Sequence, residues 1–571
     1  MTASFQRLQD SILSRLEAPS LTAAANVLPS PLTTGVYIEA ANADLDSGDN
    51  ESAFANLSLT HSTLVHHRVT QRQQKSKNDD SPQILALKKE SLSATSKEET
   101  LNLLKQLPSD WTVVQITAAN NGGIEHFLGL GEETKVVTSP SLFIAHCRCG
   151  PSPTVTVQYV DPPKNEGVRS IIQEIESIKE SNRNINQEWK DQQEKYVNKR
   201  EEVNDRLKCL VRSMEVSWLR HWCSLLPGTL DPQKQQILTN IIDKALINAG
   251  ITLSQSQKIL LQSIISCPNS SEKSGNKILG STPLFSMRAG IAAVLEESVR
   301  GEKSKELSSI LQKLEDTLEE IRNETRNPVI LVLDKAVVSL PWEMLSVLRD
   351  QPVTRMPSLR MLTLLFQHHS QQMDSVLVKG VNPNNGFYIL DPDSNLKRTQ
   401  DRMKDVLAQS GWTGVTGRHP SHTEFKDALG SKDVFTYIGH GSGSQYFPGE
   451  LVENTKCRSL VLLYGCSSAR LAPRGRIPDP WGIILNYFIA SCPCVVGMLW
   501  EVTDKDTDKV TQVMLRALLG QGETESSTLA NPPTDVALLV SRSRGLCHWY
   551  STAAALVVYG LPLHLVHTEE I

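Results

Sequence analysis

The spacing of apolar positions changes several times along the chain, and each change marks a different kind of element. Phe5, Leu8, Ile12, Leu13 and Leu16 recur at helical spacing within residues 1–28, and a second helical stretch is expected around 37–64. Residues 68–83 read RVTQRQQKSKNDDSPQ and are almost free of apolar side chains, which predicts a linker or disordered loop. A helix over 96–107 then leads into a strand over 111–116, with further strands expected at 142–146 and 154–159. From 168 to about 325 the period is helical throughout. Ile171, Ile175 and Ile178 come first, then Trp218, Leu219, Trp222, Leu225 and Leu226, then Ile237, Ile241, Ile242 and Leu246, and last Leu307, Ile310, Leu311, Leu314, Leu318 and Ile321. A polar break over 268–280 divides this block. Strand character resumes at 328–334, and Leu340-Pro341-Trp342-Glu343-Met344-Leu345 reads as a turn entering a helix.

A second alternating stretch begins at Phe387-Tyr388-Ile389-Leu390-Asp391. It continues with a helix over 399–410, two short strands over 434–438 and 460–464, a helix over 481–490 and a strand over 494–500. Helices over 506–519 and 534–546 and a final apolar segment complete it. Alternation of this kind predicts an α/β fold with a parallel-type sheet flanked by helices. The expected organisation is N-terminal helical segments over 1–107, an α/β unit over 108–375 interrupted by a helical insertion at about 165–325, and a second α/β unit over 376–571.

The two short strands carry the chemistry. Val434-Phe435-Thr436-Tyr437-Ile438 runs into Gly439-His440-Gly441, and Leu460-Val461-Leu462-Leu463-Tyr464 runs into Gly465-Cys466. Neighbouring parallel strands bring their carboxyl ends to one edge, where such sheets place their sites. A thiol acts as a nucleophile when ionised, and a nearby imidazole takes its proton and later returns one to a leaving amine. Cys466 and His440 are therefore the candidate pair. The backbone N–H groups of Gly441 and Cys466 are candidates for an oxyanion hole, and Gly439 and Gly465 would relieve the turns. Asp433 and Glu450 are both open as partners that orient the histidine. Singly, a cysteine after an apolar strand is a core residue and a histidine beside glycine is part of a turn. It is the pairing on consecutive strands that points to catalysis. The glycines do not form a dinucleotide-binding loop, because Gly439-x-Gly441-x-x-Ser444 lacks the third glycine. Glu501, Asp504, Asp506 and Asp508 crowd the end of the next strand, where acids either complement a helix dipole or form a pocket for a cation. Asp504, at the elbow, is placed to pair with the guanidinium of a substrate arginine.

Composition narrows the field. A chain of 571 residues needs about three structural units, and a net charge of −5 with no basic stripe leaves no footprint for nucleic acid. No apolar run has the length of a membrane span and the first residues lack a signal-peptide core, so a soluble intracellular protein is expected. The ten cysteines have no regular framework and read as reduced thiols of the cytosol or nucleus. Cys147/Cys149 and Cys492/Cys494 have no second ligand pair at zinc-like spacing, so no metal site is assigned, and Cys492-Pro493-Cys494 is expected to open a buried strand.

These residues resemble the protease-containing C-terminal region of the separases, in the caspase-like clan of cysteine endopeptidases. The matching motifs are Val332-Leu333-Asp334 with Leu340-Pro341-Trp342-Glu343, Phe387-Tyr388-Ile389-Leu390, Tyr437-Ile438-Gly439-His440-Gly441-Ser442-Gly443, Leu463-Tyr464-Gly465-Cys466-Ser467-Ser468 and Leu499-Trp500-Glu501-Val502-Thr503-Asp504-Lys505-Asp506. The resemblance implies a His440/Cys466 dyad, no cofactor, and an inactive caspase-like domain with a helical insertion packed on the active one. It implies an acidic pocket near Asp504, with Glu501 and Asp508 as competing acids, for an arginine before the cut bond. Substrates would carry an acidic residue a few positions upstream. It further implies cleavage of the cohesin kleisin subunit at anaphase, securin as inhibitor, a cyclin-dependent kinase with cyclin B as partner, and a place in cytoplasm and nucleus, on chromosomes or spindle in mitosis. The long helical-repeat region of separases is missing, which reads as a fragment or a short form. The gap from His440 to Cys466 is about half the roughly 50 residues of the caspase signature, which excludes a true caspase. Glu297-Ser298-Val299-Arg300 and Glu319-Glu320-Ile321-Arg322 place an acid three residues before an arginine, so Arg300 is a candidate self-cleavage point. The competing readings are a silent caspase-like scaffold that binds a partner peptide, and a related caspase-like peptidase controlled by a fused sensor.

Overall fold

Thirteen short strands divide the described residues, and most of those near the middle of the sheet are predominantly apolar. They are β1 (Thr112–Ala118), β2 (Leu142–Arg148), β3 (Thr154–Val160), β4 (Val329–Leu333), β5 (Val353–Met356), β6 (Gly386–Leu390), β7 (Thr413–Thr416), β8 (Val434–Ile438), β9 (Leu460–Leu463), β10 (Ala472–Arg474), β11 (Ile477–Trp481), β12 (Cys494–Met498) and β13 (Leu556–Gly560). The computed structural model describes residues 31–61, 68, 96–119, 139–163, 169–188, 192–268, 287–295, 302–474, 477–520 and 533–566. The expected helix within 1–28, the expected linker apart from Arg68, nearly all of the polar break, and Arg300 lie outside them.

Eleven of the strands form one sheet in the order β3-β2-β1-β4-β5-β13-β12-β9-β8-β6-β7, and β10 pairs with β11 alone. Pairing is parallel from β7 through β6, β8 and β9 to β12, and again from β13 through β5 and β4 to β1. It is antiparallel at β12–β13 and across β1, β2 and β3. The expected parallel character therefore holds within each half, while β13, met in the sequence only as a final apolar segment, joins the halves with opposite directions. β4, β8, β9, β12 and β13 are buried at every residue, as strands covered on both faces must be. Cys494 opens β12 as a buried residue.

The helical block lies between β3 and β4, from the helix Ile171–Glu188 to the helix Glu315–Arg322. Ile171, Ile175 and Ile178 face inward, and the buried Trp218 donates its indole N–H to the Pro140 carbonyl at 3.1 Å. Ile237 departs from the expected pattern. It points outward, 45% exposed, and Leu238 takes the inward place. The stretch after Leu340 also departs, forming a single turn, Trp342–Met344, rather than a helix. Tertiary demands explain this: the Trp342 indole bonds the Val337 carbonyl at 2.9 Å, and Glu343 turns inward to grip Arg355 on β5.

Candidate active site

β8 and β9 lie side by side and parallel, so His440 and Cys466 leave the same edge of the sheet. Their turns touch. A Cβ added at Gly465 would overlap the Gly441 carbonyl oxygen and come within 2.7 Å of the Gly439 carbonyl oxygen, so only glycine lets the cysteine turn rest on the histidine turn. Gly441 has φ +63°, and Ser467, directly after the cysteine, holds φ +56° without being glycine. That strained residue is fixed by its N–H on the Trp500 carbonyl at 3.0 Å, which ties the cysteine turn to the end of β12. Among the described residues no acceptor takes the N–H of Gly441 or of Cys466.

His440 is exposed, and its Nε2 lies 3.1 Å from the Asn395 Oδ1. With that oxygen as acceptor, Nε2 carries the proton and Nδ1 keeps the lone pair. Asn395 is held in turn by Asp391, whose carboxylate accepts the N–H groups of Asn395 at 3.0 Å and Leu396 at 2.9 Å. The His440 carbonyl accepts the Tyr437 hydroxyl at 2.7 Å and the Gln445 amide at 3.2 Å. The Cys466 thiol sits on the Val502 backbone, 3.5 Å from its carbonyl and 3.4 Å from its nitrogen. The described residues contain no hydrogen bond between this thiol and the His440 ring. Burial pushes the Cys466 thiol above its ordinary range; Asp504 and Glu501 push the same way, while the Val502 backbone and Arg200 oppose them.

The four acids after β12 separate into distinct roles. The helix Asp504–Leu518 begins two residues earlier than the sequence suggests, so its first turn holds Asp504 and Asp506 rather than Asp506 and Asp508. Asp506 is buried and accepts the N–H groups of His548 at 2.7 Å and Trp549 at 2.8 Å. Asp508 is buried too, with one oxygen taken by Arg402 at 2.6 Å and Thr399 at 3.0 Å, which commits it to the fold's own arginine. Asp504 is exposed and bonds no side chain among the described residues. Glu501 accepts the Ser467 hydroxyl at 3.2 Å and the Arg183 guanidinium at 3.4 Å.

Sequence reasoning missed two groups. Asn395 stands at the carboxyl end of β6, the strand beside β8, so the edge rule applied to one more strand would have found it. Asn182, Arg183 and Arg200 come from the helical insertion. The Asn182 amide donates to the Glu501 carbonyl at 2.7 Å, and its oxygen accepts from the buried Arg200. No local signal marks these three. Asp433, one of the acids considered for orienting the histidine, lies at the opposite end of β8, bonded to Lys379, Asn385 and Arg458.

The separin protease-domain family matches residues 163–507, more than half of the chain. The chain belongs to the separin family. Separin of Mus musculus is 33% identical over 366 residues, covering 64% of this chain and 16% of the mouse protein. Separin of Schizosaccharomyces pombe is 29% identical over 500 residues, covering 81% of this chain and 25% of that protein. The chain therefore spans a quarter or less of the length of these separins. Among solved structures, the separase–securin complex of Saccharomyces cerevisiae matches with a TM-score of 0.68 at 20% identity, over 99% of this chain and 37% of the yeast chain, and shows the caspase-like fold.

Proposed function

We propose that this separin-family chain is an arginine-specific cysteine endopeptidase. The observation that supports the reading is the seating of Gly465 on the His440 turn, which puts the cysteine turn against the histidine turn, with the N–H groups of Gly441 and Cys466 unengaged among the described residues. His440 Nδ1 takes the thiol proton as Cys466 Sγ attacks the scissile carbonyl carbon, and the N–H groups of Gly441 and Cys466 receive the oxyanion. Collapse breaks the C–N bond, with the imidazolium giving its proton to the leaving amine. Water then cleaves the thioester and restores the thiol. Asp504 is the pocket acid for the arginine side chain, with Glu501 beside it, and Asp508 is left to its structural pairing with Arg402. The same reading makes the cohesin kleisin the substrate and securin the inhibitor, in keeping with the securin-bound yeast relative. It adds a cyclin-dependent kinase with cyclin B as a partner, and a location in cytoplasm and nucleus with chromosomes or spindle in mitosis. The division near residue 375 between an inactive and an active unit, and Arg300 as a self-cleavage point, belong to it as well.

Cleavage of a Glu-x-x-Arg peptide, and of one with Glu in place of Arg, tests it. Cutting only after arginine, and only by chains retaining Cys466 and His440, is the expected result; equal cutting by Cys466→Ala overturns the nucleophile. The thiol's hydrogen bonds to the Val502 backbone, with none to the His440 ring among the described residues, favour a second reading, a silent scaffold that binds a peptide without cutting it. Tight binding of the arginine peptide with no turnover by the folded chain would select that reading.

A further inference from the structure

The three strands that follow β9 in the sheet, β8, β6 and β7, each deliver one residue to a cluster beside His440. Asp393 comes from the turn after β6, His419 from the loop after β7 and Tyr446 from the loop after β8. The His419 Nε2 lies 3.1 Å from the Asp393 Oδ1, the His419 and Tyr446 rings stand 4.9 Å apart, and the Tyr446 hydroxyl bonds the same carboxylate. Loss of solvent and then Asp393 raise Tyr446 to about 12, so its hydroxyl keeps its proton and donates. The Tyr446 hydroxyl first, then the imidazoles of His419 and His440, hold the Asp393 carboxyl below its usual range, so it is ionised. Its side chain is 38% exposed, and among the described residues no lysine or arginine pairs with it.

The turn that presents this carboxylate is fixed. Asp391 at φ +44° and Ser394 at φ +57° hold left-handed backbone without being glycine, and such strain persists only where the surroundings over-determine it. The Asp391 N–H donates to the Ile438 carbonyl at 2.8 Å, and the Ser394 hydroxyl donates to the Gly417 carbonyl at 2.8 Å. Between them, the Pro392 ring comes within 3.2 Å of the place a Cβ on Gly439 would take, so the turn rests on the histidine turn.

Sheet order says what the cluster faces. Along the shared edge Glu501 and Asp504 follow β12, Cys466 follows β9, His440 follows β8 and Asp393 follows β6. In the proposed reaction the arginine lies toward the pocket acids, and the leaving amine takes its proton from His440. The residues after the cut bond therefore run from β9 across β8 toward β6. Neighbouring strands stand about 4.8 Å apart and an extended chain advances about 3.4 Å per residue, so roughly three residues cover the distance from β9 to β6.

Resting on the endopeptidase reading, we infer that Asp393, framed by His419 and Tyr446, selects a lysine or arginine at the second or third residue after the cut bond. A carboxylate with two fixed donors keeps lone pairs for an ammonium or guanidinium, and the two rings offer a surface to the apolar stem of such a side chain. Asp393 is then a specificity residue separate from the acids that receive the arginine before the cut.

The test uses the 571-residue chain and three fluorescent Glu-x-x-Arg peptides with lysine, alanine or glutamate at both of those positions. The wild type is expected to show a kcat/KM about 5-fold higher for the lysine peptide than for the glutamate peptide, the scale of a half-exposed ion pair, with alanine between them. Asp393→Asn should bring the three together, and Asp393→Lys should reverse their order. A loss by one common factor for all three peptides would show Asp393 acting through His440 and overturns the subsite. Absence of the preference in the wild type, or its survival in both variants, overturns it too. Affinity of the same peptides for Cys466→Ala, with and without Asp393→Asn, reads the subsite without turnover. No cutting of any peptide by the wild type rejects the endopeptidase reading, while lysine-selective binding lost with Asp393 still upholds the recognition site and equal binding overturns it.

Discussion

At the scale of single residues, Asn395 decides which nitrogen of His440 is free to act as base in the proposed mechanism. Its amide oxygen accepts from Nε2 at 3.1 Å, and Asp391 fixes the loop that presents it. Asn395→Ala frees the ring to change tautomer and to turn away, so kcat should fall about 10-fold, a part of the 10²- to 10⁴-fold that a positioned base contributes. Alkylation of Cys466 by iodoacetamide separates this effect from general damage. The resting thiol is bonded to Val502 and not to His440, so its alkylation profile should stay where it is in Asn395→Ala. In both proteins that profile should rise on the alkaline side of an ordinary thiol, because burial raises the Cys466 pKa and the thiolate therefore forms only at higher pH. A shifted alkylation profile in the variant would show that Asn395 holds the cysteine turn rather than the imidazole.

At the scale of elements, two strand-to-turn units meet through one missing side chain. Gly465→Ala inserts a methyl group where the Gly441 carbonyl already sits, so the turns must separate. Peptide cleavage should fall at least 100-fold, as displacement of reacting groups by about 1 Å costs that much, while β9, buried on both faces, keeps the chain folded. Unchanged kcat in the alanine variant would dissociate catalysis from this contact. The elements that build this junction were legible because β8 and β9 are short apolar runs that end in glycine, a pattern little altered by tertiary context. β7 was not legible, since Thr413–Thr416 is largely exposed at the sheet's edge and carries no apolar alternation. β5 was hidden for the opposite reason: Thr354 and Arg355 are polar residues buried in a strand, and Arg355 is satisfied by Glu343, which lies outside the strand. The site divides along the same line. His440 and Cys466 announce themselves by chemistry next to glycine, whereas Asn395 is a plain loop amide until β6 is placed beside β8, and the insertion's residues are separated from Cys466 by nearly half of the chain.

At the scale of the molecule, the two halves of the sheet join at β12 and β13, and a buried ion pair stands behind the join, where β13 pairs with β5. Arg355 donates to both Glu343 oxygens at 2.6 Å, lies 5.9 Å from the Tyr559 ring on β13, and reaches the Val338 and Leu340 carbonyls. Burial alone would raise Glu343, but Arg355 outweighs it and holds the carboxyl below its usual range. Glu343→Gln leaves a buried guanidinium without its counter-charge and should cost about 3–5 kcal/mol, read as a fall in the denaturation midpoint. The insertion makes a second connection, and this one ends at the candidate active site. Arg200 holds Asn182, Asn182 holds the Glu501 carbonyl, and Asn204 on the same helix as Arg200 accepts the Ser551 N–H at 2.9 Å. The loop carrying Glu501, Val502 and Asp504 is therefore positioned partly by residues that the chain supplies some three hundred positions earlier. Asn182→Ala removes the bond to Glu501 and releases Arg200, so the pocket acids and the Val502 seat of the thiol lose their register together. The expected result is a fall of about 10-fold in kcat/KM for the arginine peptide, the equivalent of one hydrogen bond near a charge. Lys258→Ala, which breaks an exposed ion pair with Asp243 elsewhere in the insertion, should leave turnover unchanged. If both variants lost activity equally, the insertion would act through overall stability, and the specific path from Arg200 to Glu501 would be rejected.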